Sequence, residues 1–264
     1  MLNVCVFGAA GRMGRSLVEG IFENPNLTLT GALLEPGDPL TGRDIGEVAG
    51  LDALDVLATD QPARALDGAQ VAIDFTLPVA TFGNINACEE AGVAMVTGTT
   101  GLSEDQWNRL QGRDWKIPAM FAPNMSIGVN LMYGLVAQAA QSLGVEYDIE
   151  VIETHHRHKK DAPSGTALKL GKVLADALNV DLAKQGVFTR QGEAPRRSGD
   201  IGFSVVRAGD VVGDHTVLFA TEGERLEITH KASSRQTFVA GALRACPWVV
   251  QQPPGFYGMG HVLG

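Results

Sequence analysis

Segment 155–160 gathers the residue types that can bind an anion and move a proton. It reads His-His-Arg-His-Lys-Lys and holds three of the six histidines of a chain whose formal net charge is -9. Imidazole gains and loses a proton near neutral pH, and lysine and arginine supply positive charge. The segment therefore suits a small anionic substrate that must also receive a proton. Arg157 and Lys160 also fit a second interpretation, as solvated flanking residues.

A helix is predicted to begin directly after this segment. Pro163, Ser164, Gly165 and Thr166 precede an amphipathic pattern that continues to Leu178. The first N–H groups of a helix have no partner within the helix, and they bind anions together with nearby hydroxyls. We therefore expect Ser164, Gly165 and Thr166 to contact carboxylate groups of a substrate.

Two other interpretations of His155, His156 and His158 stay open. A metal site is one, but the segment has no H-E-x-x-H spacing, no neighbouring cysteine and no carboxylate at helical spacing. Ordinary polar core histidines are the other. Acid–base chemistry accounts for more of the pattern, because reducing a C=C or C=N bond leaves a negative charge that needs a proton. We predict no metal.

A glycine-rich turn follows the first predicted strand, residues 2–7. Gly8, Gly11 and Gly14 are spaced G-x-x-G-x-x-G and precede an apolar pattern of helical period. Such a turn lets a pyrophosphate approach bare backbone N–H groups at a helix N-terminus. We predict a dinucleotide-binding turn, although this spacing is less specific than G-x-G-x-x-G and also fits a purely structural turn.

Glu35 ends the second predicted strand, residues 27–34. There an acidic side chain accepts hydrogen bonds from both ribose hydroxyls of a dinucleotide. A site for NADPH would place an arginine beside it for the 2′-phosphate, and Pro36 stands there instead. We therefore predict that NADH is used at least as well as NADPH. The alternative is that Glu35 is only a surface turn residue.

Two later turns complete the predicted cofactor site. Gly98-Thr99-Thr100 follows a predicted strand at 93–96, and Ala122-Pro123-Asn124 follows one at 119–121. Ligands of open α/β sheets bind at the carboxyl ends of the strands, so we expect cofactor contacts at both turns. Ordinary strand-to-helix turns are the alternative.

The elements change character at about residue 126. Up to that point strands and helices alternate, which predicts a Rossmann-like, doubly wound α/β domain with a parallel sheet. The predicted elements beyond it are strands at 147–152, 201–207, 215–221 and 225–230, and helices at 130–142, 166–178 and 236–250. Short Gly-Asp turns favour antiparallel neighbours, so the second domain is predicted to be α+β with a mixed or antiparallel sheet.

Composition excludes several classes of protein. The 264 residues, 45% hydrophobic and 19% charged, suffice for one or two domains with a sizeable core. An acidic chain lacks the positive field that nucleic acids and anionic membranes require, so we expect neither partner. The three cysteines, Cys5, Cys88 and Cys246, have no disulfide or metal spacing and fit buried thiols. The N-terminus does not read as a signal peptide, and we expect a cytoplasmic protein.

The motifs together resemble the 4-hydroxy-tetrahydrodipicolinate reductase (dihydrodipicolinate reductase) family, over essentially the whole chain. The matching stretches are GAAGRMG (8–14), GTTG (98–101), APNMSIGVN (122–130), HHRHK (155–159), DAPSGTAL (161–168) and HKASSR (230–235). The stretch from His155 to Leu168 is the most specific. The resemblance implies reduction of a cyclic dicarboxylate by NADH or NADPH, in the diaminopimelate route to lysine.

The resemblance also implies roles for single residues. His155 matches the family's proton donor or acceptor and Lys159 its proton donor. Substrate-carboxylate contacts match His156, Gly165 and Thr166. Cofactor contacts match Gly8, Ala9, Ala10, Gly11, Arg12, Met13, Glu35, Gly98, Thr99, Thr100, Ala122, Pro123, Asn124 and Met125. The chain lacks the arginine that follows Glu35 in many relatives, and Leu77 stands where some carry an arginine. These departures concern the preference for NADPH and not the reaction.

The same resemblance implies an organisation into two domains. Residues 1–126 and 236–264 are expected to form the dinucleotide-binding domain, and residues 127–235 the substrate-binding and oligomerisation domain. A homotetramer is expected to assemble through the sheet of the second domain.

Two rival functions fit the chain less well. A semialdehyde dehydrogenase needs a nucleophilic cysteine at an exposed helix N-terminus, and none of the three cysteines is placed so. A dinucleotide-sensing regulator needs a DNA-reading helix or a basic face, which this acidic chain lacks.

Overall fold

The chain forms two units, each built around its own sheet. The structure is a computed structural model that describes residues 1–264. Unit 1 comprises Met1–Ile127 with Gln236–Gly264, and unit 2 comprises Gly128–Arg235. No helix in the structure combines the length and the apolar character needed to span a membrane.

Eleven strands and ten α-helices make up the two units. The strands are β1 (Leu2–Phe7), β2 (Leu27–Leu33), β3 (Val71–Asp74), β4 (Ala94–Thr97), β5 (Pro118–Phe121), β6 (Asp148–His155), β7 (Gly186–Val187), β8 (Ile201–Arg207), β9 (Gly213–Thr221), β10 (Glu224–Ala232) and β11 (Gly255–Tyr257). The helices are α1 (Arg12–Phe22), α2 (Ile45–Ala49), α3 (Pro62–Ala65), α4 (Thr81–Ala91), α5 (Glu104–Gln111), α6 (Ile127–Leu143), α7 (Gly165–Ala177), α8 (Leu182–Gln185), α9 (Gln236–Val249) and α10 (Met259–Leu263).

The sheet of unit 1 has six parallel strands in the order β11-β5-β4-β3-β1-β2. Alternate side chains of a strand point to opposite faces, and here both faces are covered. Val4 and Val6 of β1 pack in one cluster with α1 and α9, while Cys5 and Phe7 pack in another with α4 and α5. This arrangement confirms the predicted doubly wound α/β fold.

The sheet of unit 2 is mixed, with the order β10-β9-β6-β8-β7. Strand β6 runs antiparallel to β9 and parallel to β8. Its inner face, which includes Ile149 and Val151, packs against α6 and α7 in a single apolar cluster. On the outer face the side chains of β6 and β9, such as Ile152 and Leu218, are only half-buried.

One expectation for unit 2 was wrong. The short connection from β8 to β9 suggested that these two strands are antiparallel neighbours, but β6 lies between them. The segment that connects β8 to β9 crosses the carboxyl end of β6, because β6 and β8 end side by side in the sheet. The Ala208 N–H donates to the His155 carbonyl at 2.9 Å, and the Arg157 N–H donates to the Gly209 carbonyl at 3.1 Å.

Several boundaries differ from the predicted ones. Strand β6 extends to His155, so the first histidine of the cationic segment, residues 155–160, belongs to the sheet. Ser103 is the N-cap of α5 and forms a capping box with Gln106. Six short elements were not predicted: α2, α3, α8, β7, β11 and α10. The three cysteines are buried free thiols, as expected.

Candidate active site

The carboxyl ends of five parallel strands lie in one row at an edge of the unit 1 sheet. The last residues pair directly across the strands, in the order Leu33, Phe7, Asp74, Thr97, Phe121. The predicted cofactor segments follow four of these ends, at 8–13, at 35, at 98–100 and at 122–125. The structure therefore brings these segments to the sheet edge where α/β folds bind ligands.

The turn after β1 presents bare backbone. Gly8 has a φ of +70°, and its carbonyl accepts the Gly11 N–H at 3.0 Å. Gly11 is the N-cap of α1, and no side chain caps that helix. A Cβ on Gly14 would overlap the carbonyl of Gly8, so only glycine lets α1 approach the turn so closely. An uncapped helix end behind bare backbone fits the pyrophosphate of a dinucleotide.

The other predicted cofactor residues differ in their exposure. The exposed residues are Arg12, Glu35, Thr100 and Pro123. The half-buried ones are Ala10, Met13 and Asn124, and the buried ones are Ala9, Gly98, Thr99, Ala122 and Met125. The Asn124 side-chain oxygen accepts the N–H of Ser126 at 2.9 Å, which shapes the turn after β5. A Cβ on Gly98 would run into the ring of Phe75, so the turn after β4 packs closely against that ring.

A buried carboxyl that sequence reasoning missed supports these turns. Asp74 Oδ1 accepts the N–H and the hydroxyl of Thr76 at 2.8 and 2.7 Å, and Oδ2 accepts the Asn84 amide at 3.0 Å. The Thr99 hydroxyl lies 3.5 Å from Oδ1. Burial raises the pKa of Asp74, against these hydrogen bonds. Through its contacts with Thr76 and Thr99, Asp74 joins the turn after β3 to the predicted cofactor turn after β4.

In unit 2, strand β6 carries two buried ionisable side chains on one face. Glu153 and His155 are two residues apart, so both point to the inner face of the sheet, and both are buried. Arg207 ends β8 directly beside His155, because the register pairs these two residues. The three side chains meet at the point where the chain leaves the sheet.

Glu153 accepts hydrogen bonds at both of its carboxylate oxygens. Arg207 donates from Nη1 to Oε2 and from Nη2 to Oε1, both at 2.9 Å. The Ser164 N–H donates to Oε1 at 2.9 Å, and His155 Nδ1 contacts Oε2. Burial raises the pKa of Glu153, but the bonds from Arg207, Ser164 and His155 outweigh burial, and the pKa lies below its usual value. Glu153 is therefore an ionised carboxylate that only accepts.

Ser164 joins this network to α7. It is the N-cap of the helix, and its hydroxyl accepts the Ala167 N–H at 3.1 Å. The same hydroxyl lies 3.1 Å from Nε2 of His215, a buried histidine of β9. Gly165 and Thr166 form the first turn, with Gly165 exposed and Thr166 half-buried. The positive end of the α7 dipole thus lies beside the Glu153 network.

The rest of the cationic segment is more open to solvent. His156 and Lys159 are half-buried, whereas Arg157, His158 and Lys160 are exposed. Lys159 Nζ pairs with Asp161 Oδ1 at 2.9 Å, and Arg207 Nη2 donates to the Asp161 carbonyl at 2.6 Å. The placement of Arg157 and Lys160 agrees with the solvated-flank interpretation. No three His, Cys, Asp or Glu side chains of the chain are arranged as metal ligands.

His155 is suited to exchanging a proton at Nε2. Burial lowers the pKa of His155, and the Glu153 carboxylate works against burial by favouring the charged ring. Since Nδ1 is held by Glu153, Nε2 is the nitrogen that remains for chemistry. A Cβ on Gly213 would lie 3.0 Å from this Nε2, so the glycine leaves room there. The site combines a proton-exchanging imidazole, a lysine and a helix end that attracts anions.

Sequence reasoning missed several polar residues of these networks, among them Asp74, Glu153, Arg207 and His215. Glu153 carried a usable signal, because it precedes His155 by two residues in an alternating strand pattern. Asp74 likewise ended an otherwise apolar strand. Arg207 and His215 gave no local signal, since they lie 54 and 51 residues from their partners Glu153 and Ser164.

Known families, sequences and structures that are similar to this chain carry concordant names. Models of the dihydrodipicolinate reductase N-terminus and C-terminus match residues 2–125 and 128–263. A 4-hydroxy-tetrahydrodipicolinate reductase of Chromohalobacter salexigens is 55% identical over 266 residues, covering 100% of this chain and 99% of that protein. A protein of the same name from Pseudomonas fluorescens is 52% identical over 265 residues, with the same coverage. A dipicolinate-bound dihydrodipicolinate reductase from Paenisporosarcina superposes with a TM-score of 0.77 at 25% identity, covering 100% of both chains.

Proposed function

The chain belongs to the dihydrodipicolinate reductase family, and from this premise we propose that it reduces 4-hydroxy-tetrahydrodipicolinate to tetrahydrodipicolinate, with the hydroxyl group leaving as water. Either NADH or NADPH supplies the hydride when bound. The reaction belongs to the diaminopimelate route to lysine. One observation supports the assignment most directly: His155 and Ser164, the N-cap of α7, both hydrogen-bond to the same carboxylate, Glu153.

The residues of unit 2 divide the work on the substrate. The helix end at Gly165 and Thr166, capped by Ser164, binds a substrate carboxylate through its N–H groups and the Thr166 hydroxyl. His156 and Lys159 add a donor and a positive charge. Because reduction leaves negative charge on the substrate, a proton must follow, and Lys159 donates it.

His155 exchanges a proton at Nε2 while Nδ1 stays bonded to Glu153. Its burial keeps water away from the ring and favours the neutral form, in which Nε2 accepts a proton. The Glu153 carboxylate then stabilises the imidazolium that forms. His155 thus acts as the proton donor or acceptor of the site.

The cofactor site is the edge of the unit 1 sheet. The glycine turn at 8–13 fits the pyrophosphate, and the turns at 98–100 and 122–125 border the place where the rest of a dinucleotide would lie. Glu35 is exposed directly after β2, where it can bind the ribose hydroxyls. Pro36 follows it and supplies no positive charge for a 2′-phosphate, so NADH serves at least as well as NADPH.

Unit 2 also supports assembly into a homotetramer. The inner face of its sheet is covered by α6 and α7, while the outer face carries half-buried apolar and hydroxyl side chains. A sheet face of this kind is stabilised when a second copy of the chain packs against it. The acidic chain is expected to act in the cytoplasm, without nucleic-acid or membrane partners.

Steady-state kinetics test the proposal. The purified protein is given NADH or NADPH with or without the cyclic substrate, and dinucleotide oxidation is followed. In a separate assay a semialdehyde is given with NAD+ or NADP+ and phosphate, and dinucleotide reduction is followed. Oxidation that depends on the cyclic substrate is expected. Dinucleotide reduction by the semialdehyde, or no oxidation with the cyclic substrate, would contradict the proposal.

A further inference from the structure

The Glu153–Arg207 ion pair holds the whole connection between β6 and α7. The connection begins at His155, which is bonded through Nδ1 to Glu153. It ends at Ser164, whose N–H also donates to Glu153. Near the middle of the connection, the Asp161 carbonyl accepts from Arg207 at 2.6 Å. Lys159 is tied to the same place through Asp161 Oδ1. One ion pair therefore fixes the connection at three points.

The same pair dictates which nitrogen of His155 carries the proton. Because Arg207 and the Ser164 N–H keep Glu153 ionised, the carboxylate has no hydrogen to give, and His155 must donate from Nδ1. In the neutral ring Nε2 is then an acceptor. If Glu153 were neutral or turned away, either nitrogen could carry the proton.

We propose that Glu153 is a positioning residue which, clamped by Arg207, holds His155 in the Nδ1-protonated form and fixes the α7 helix end and Lys159 relative to it. The inference rests on the proposed function, in which His155 exchanges a proton at Nε2. Glu153 itself does not touch the substrate in this scheme. It acts through His155 and through the backbone of the connection.

Every charged group around His155 bears on the expected pH behaviour. Glu153 on the same strand stabilises the protonated ring, whereas Arg207 from β8 and Lys159 from the connection oppose it. His215 from β9 lies edge to face with the ring, at a centroid distance of 5.1 Å. Glu153 is the only carboxylate among these neighbours, so its removal leaves the ring facing only cationic and imidazole groups.

Nitrogen-15 spectra of the histidine side chains provide a test that needs no turnover. In the wild-type protein at a pH where the ring is neutral, His155 is expected to show a protonated Nδ1 and an unprotonated Nε2, assigned with His155→Asn. In Glu153→Gln, the amide group can donate to Nδ1, and the proton is expected to move to Nε2. A wild-type ring protonated at Nε2 would overturn the proposal, whatever the variants do.

Kinetics of Glu153→Gln provide the second test. Turnover is expected to fall at least about tenfold, since a wrongly protonated ring loses its part in proton transfer. The limb of the kcat–pH profile that disappears in His155→Ala is expected to move to lower pH, because the carboxylate no longer supports the imidazolium. A merely structural carboxylate would leave that limb in place. A limb unmoved and a kcat within twofold of wild type would overturn the proposal.

Glu89→Gln is the matched control. Arg113 donates to both oxygens of Glu89, at 3.1 and 2.6 Å, so this is also a two-point pair. Its loss is expected to leave kcat and the pH profile unchanged. Arg207→Lys serves if Glu153→Gln does not fold, because lysine keeps Glu153 ionised but cannot also hold the Asp161 carbonyl. It is expected to keep the Nδ1-protonated ring and lose turnover severalfold; a switched ring would contradict the proposal.

The two levels of the proposal fail in different ways. If the wild-type protein does not oxidise a dinucleotide with the cyclic substrate, the proposed function is wrong, and the spectra still test the clamp. If the wild-type protein turns over and Glu153→Gln matches it in rate, pH profile and ring protonation, only the positioning role is wrong.

Discussion

His155 and His215 pack edge to face with ring centroids 5.1 Å apart, yet only His155 hydrogen-bonds a carboxylate. His215 instead contacts the hydroxyl of Ser164, and it is buried. Two neighbouring imidazoles thus receive different roles from their partners. His155 is supported when it gains a proton, whereas His215 is kept neutral.

The neutral state of His215 predicts acid destabilisation. Burial, with the charges of His155, His230 and Lys159, lowers the pKa of His215 to about 4, against Glu153. In the unfolded chain the pKa of histidine is about 6.5. At pH values between the folded and the unfolded pKa, the unfolded chain therefore binds a proton at His215 that the folded chain does not. Stability therefore falls as the pH falls through this window, by on the order of 3 kcal/mol from this residue.

Urea unfolding at pH 7 and pH 4.5 measures this effect at fixed protein concentration. In His215→Asn, the loss of stability between the two pH values is expected to be smaller than in wild type by about 2 to 3 kcal/mol. Equal losses in the two proteins would show that His215 does not titrate as the structure predicts.

Removing either proton-handling side chain is expected to suppress the reaction. His155→Ala and Lys159→Ala should each lower kcat by roughly two to four orders of magnitude, which is the usual contribution of a positioned acid or base. Lys160→Ala is the control, because Lys160 is adjacent in sequence but exposed. Steady-state turnover with saturating cofactor makes the comparison. Near-wild-type turnover in both variants would move the chemistry elsewhere.

Thr166 is expected to act mainly in binding. Thr166→Val removes a hydroxyl from the first turn of α7 but keeps the shape of the side chain. The Michaelis constant for the cyclic substrate should rise more than kcat falls, because the lost contact is present in both the ground state and the transition state. Thr28→Val on β2 is the matched control. A fall in kcat at constant KM would instead assign Thr166 to the transition state.

The cofactor preference depends on one position after β2. The wild-type protein is expected to use NADH at least as well as NADPH, since Pro36 offers no charge to a 2′-phosphate. Pro36→Arg should raise kcat/KM for NADPH by roughly ten- to a hundredfold, as one charge-assisted hydrogen bond would. The NADPH/NADH ratio of kcat/KM in both proteins decides. A hundredfold preference of the wild type for NADPH would contradict the prediction.

The proposed tetramer is tested by charging the outer sheet face of unit 2. Ile152→Arg places a cation in the middle of β6 on that face, where a packed partner would have to desolvate it. Sedimentation velocity is expected to show a tetramer for wild type and smaller species for the variant. Val79→Arg, at a side chain that is 87% exposed in unit 1, should remain a tetramer. A wild-type monomer would exclude this assembly.

Local patterns predicted much of unit 1 because its strands and helices alternate along the chain. Strands β1, β2, β4 and β5 were expected within a residue or two, since short apolar runs alternate with helical periods. The wrong neighbour relation of β8 and β9 has a different origin. A short turn says how close two strand ends are, but it does not say whether a third strand ends between them.

The candidate site was predictable where its residues are consecutive and not where they are distant. His155 and Lys159 lie in segment 155–160, whose composition is unusual in an acidic chain, and Ser164 follows shortly after it. Arg207 reaches Glu153 from 54 residues away, and only the parallel pairing of β6 with β8 brings them together. Hence the groups expected to react were visible in the sequence, while the groups that hold them in place were not.

Unit 1 is discontinuous in sequence, and this has a consequence for how the chain matures. Its sheet is completed by β11, and α9 packs on it beside α1. Residues 236–264 therefore belong to the same hydrophobic core as the N-terminal residues. Unit 2 has all of its strands between Gly128 and Arg235. During synthesis on the ribosome, unit 2 can therefore bury its core first. Unit 1 can fold completely only after residues 236–264 have emerged.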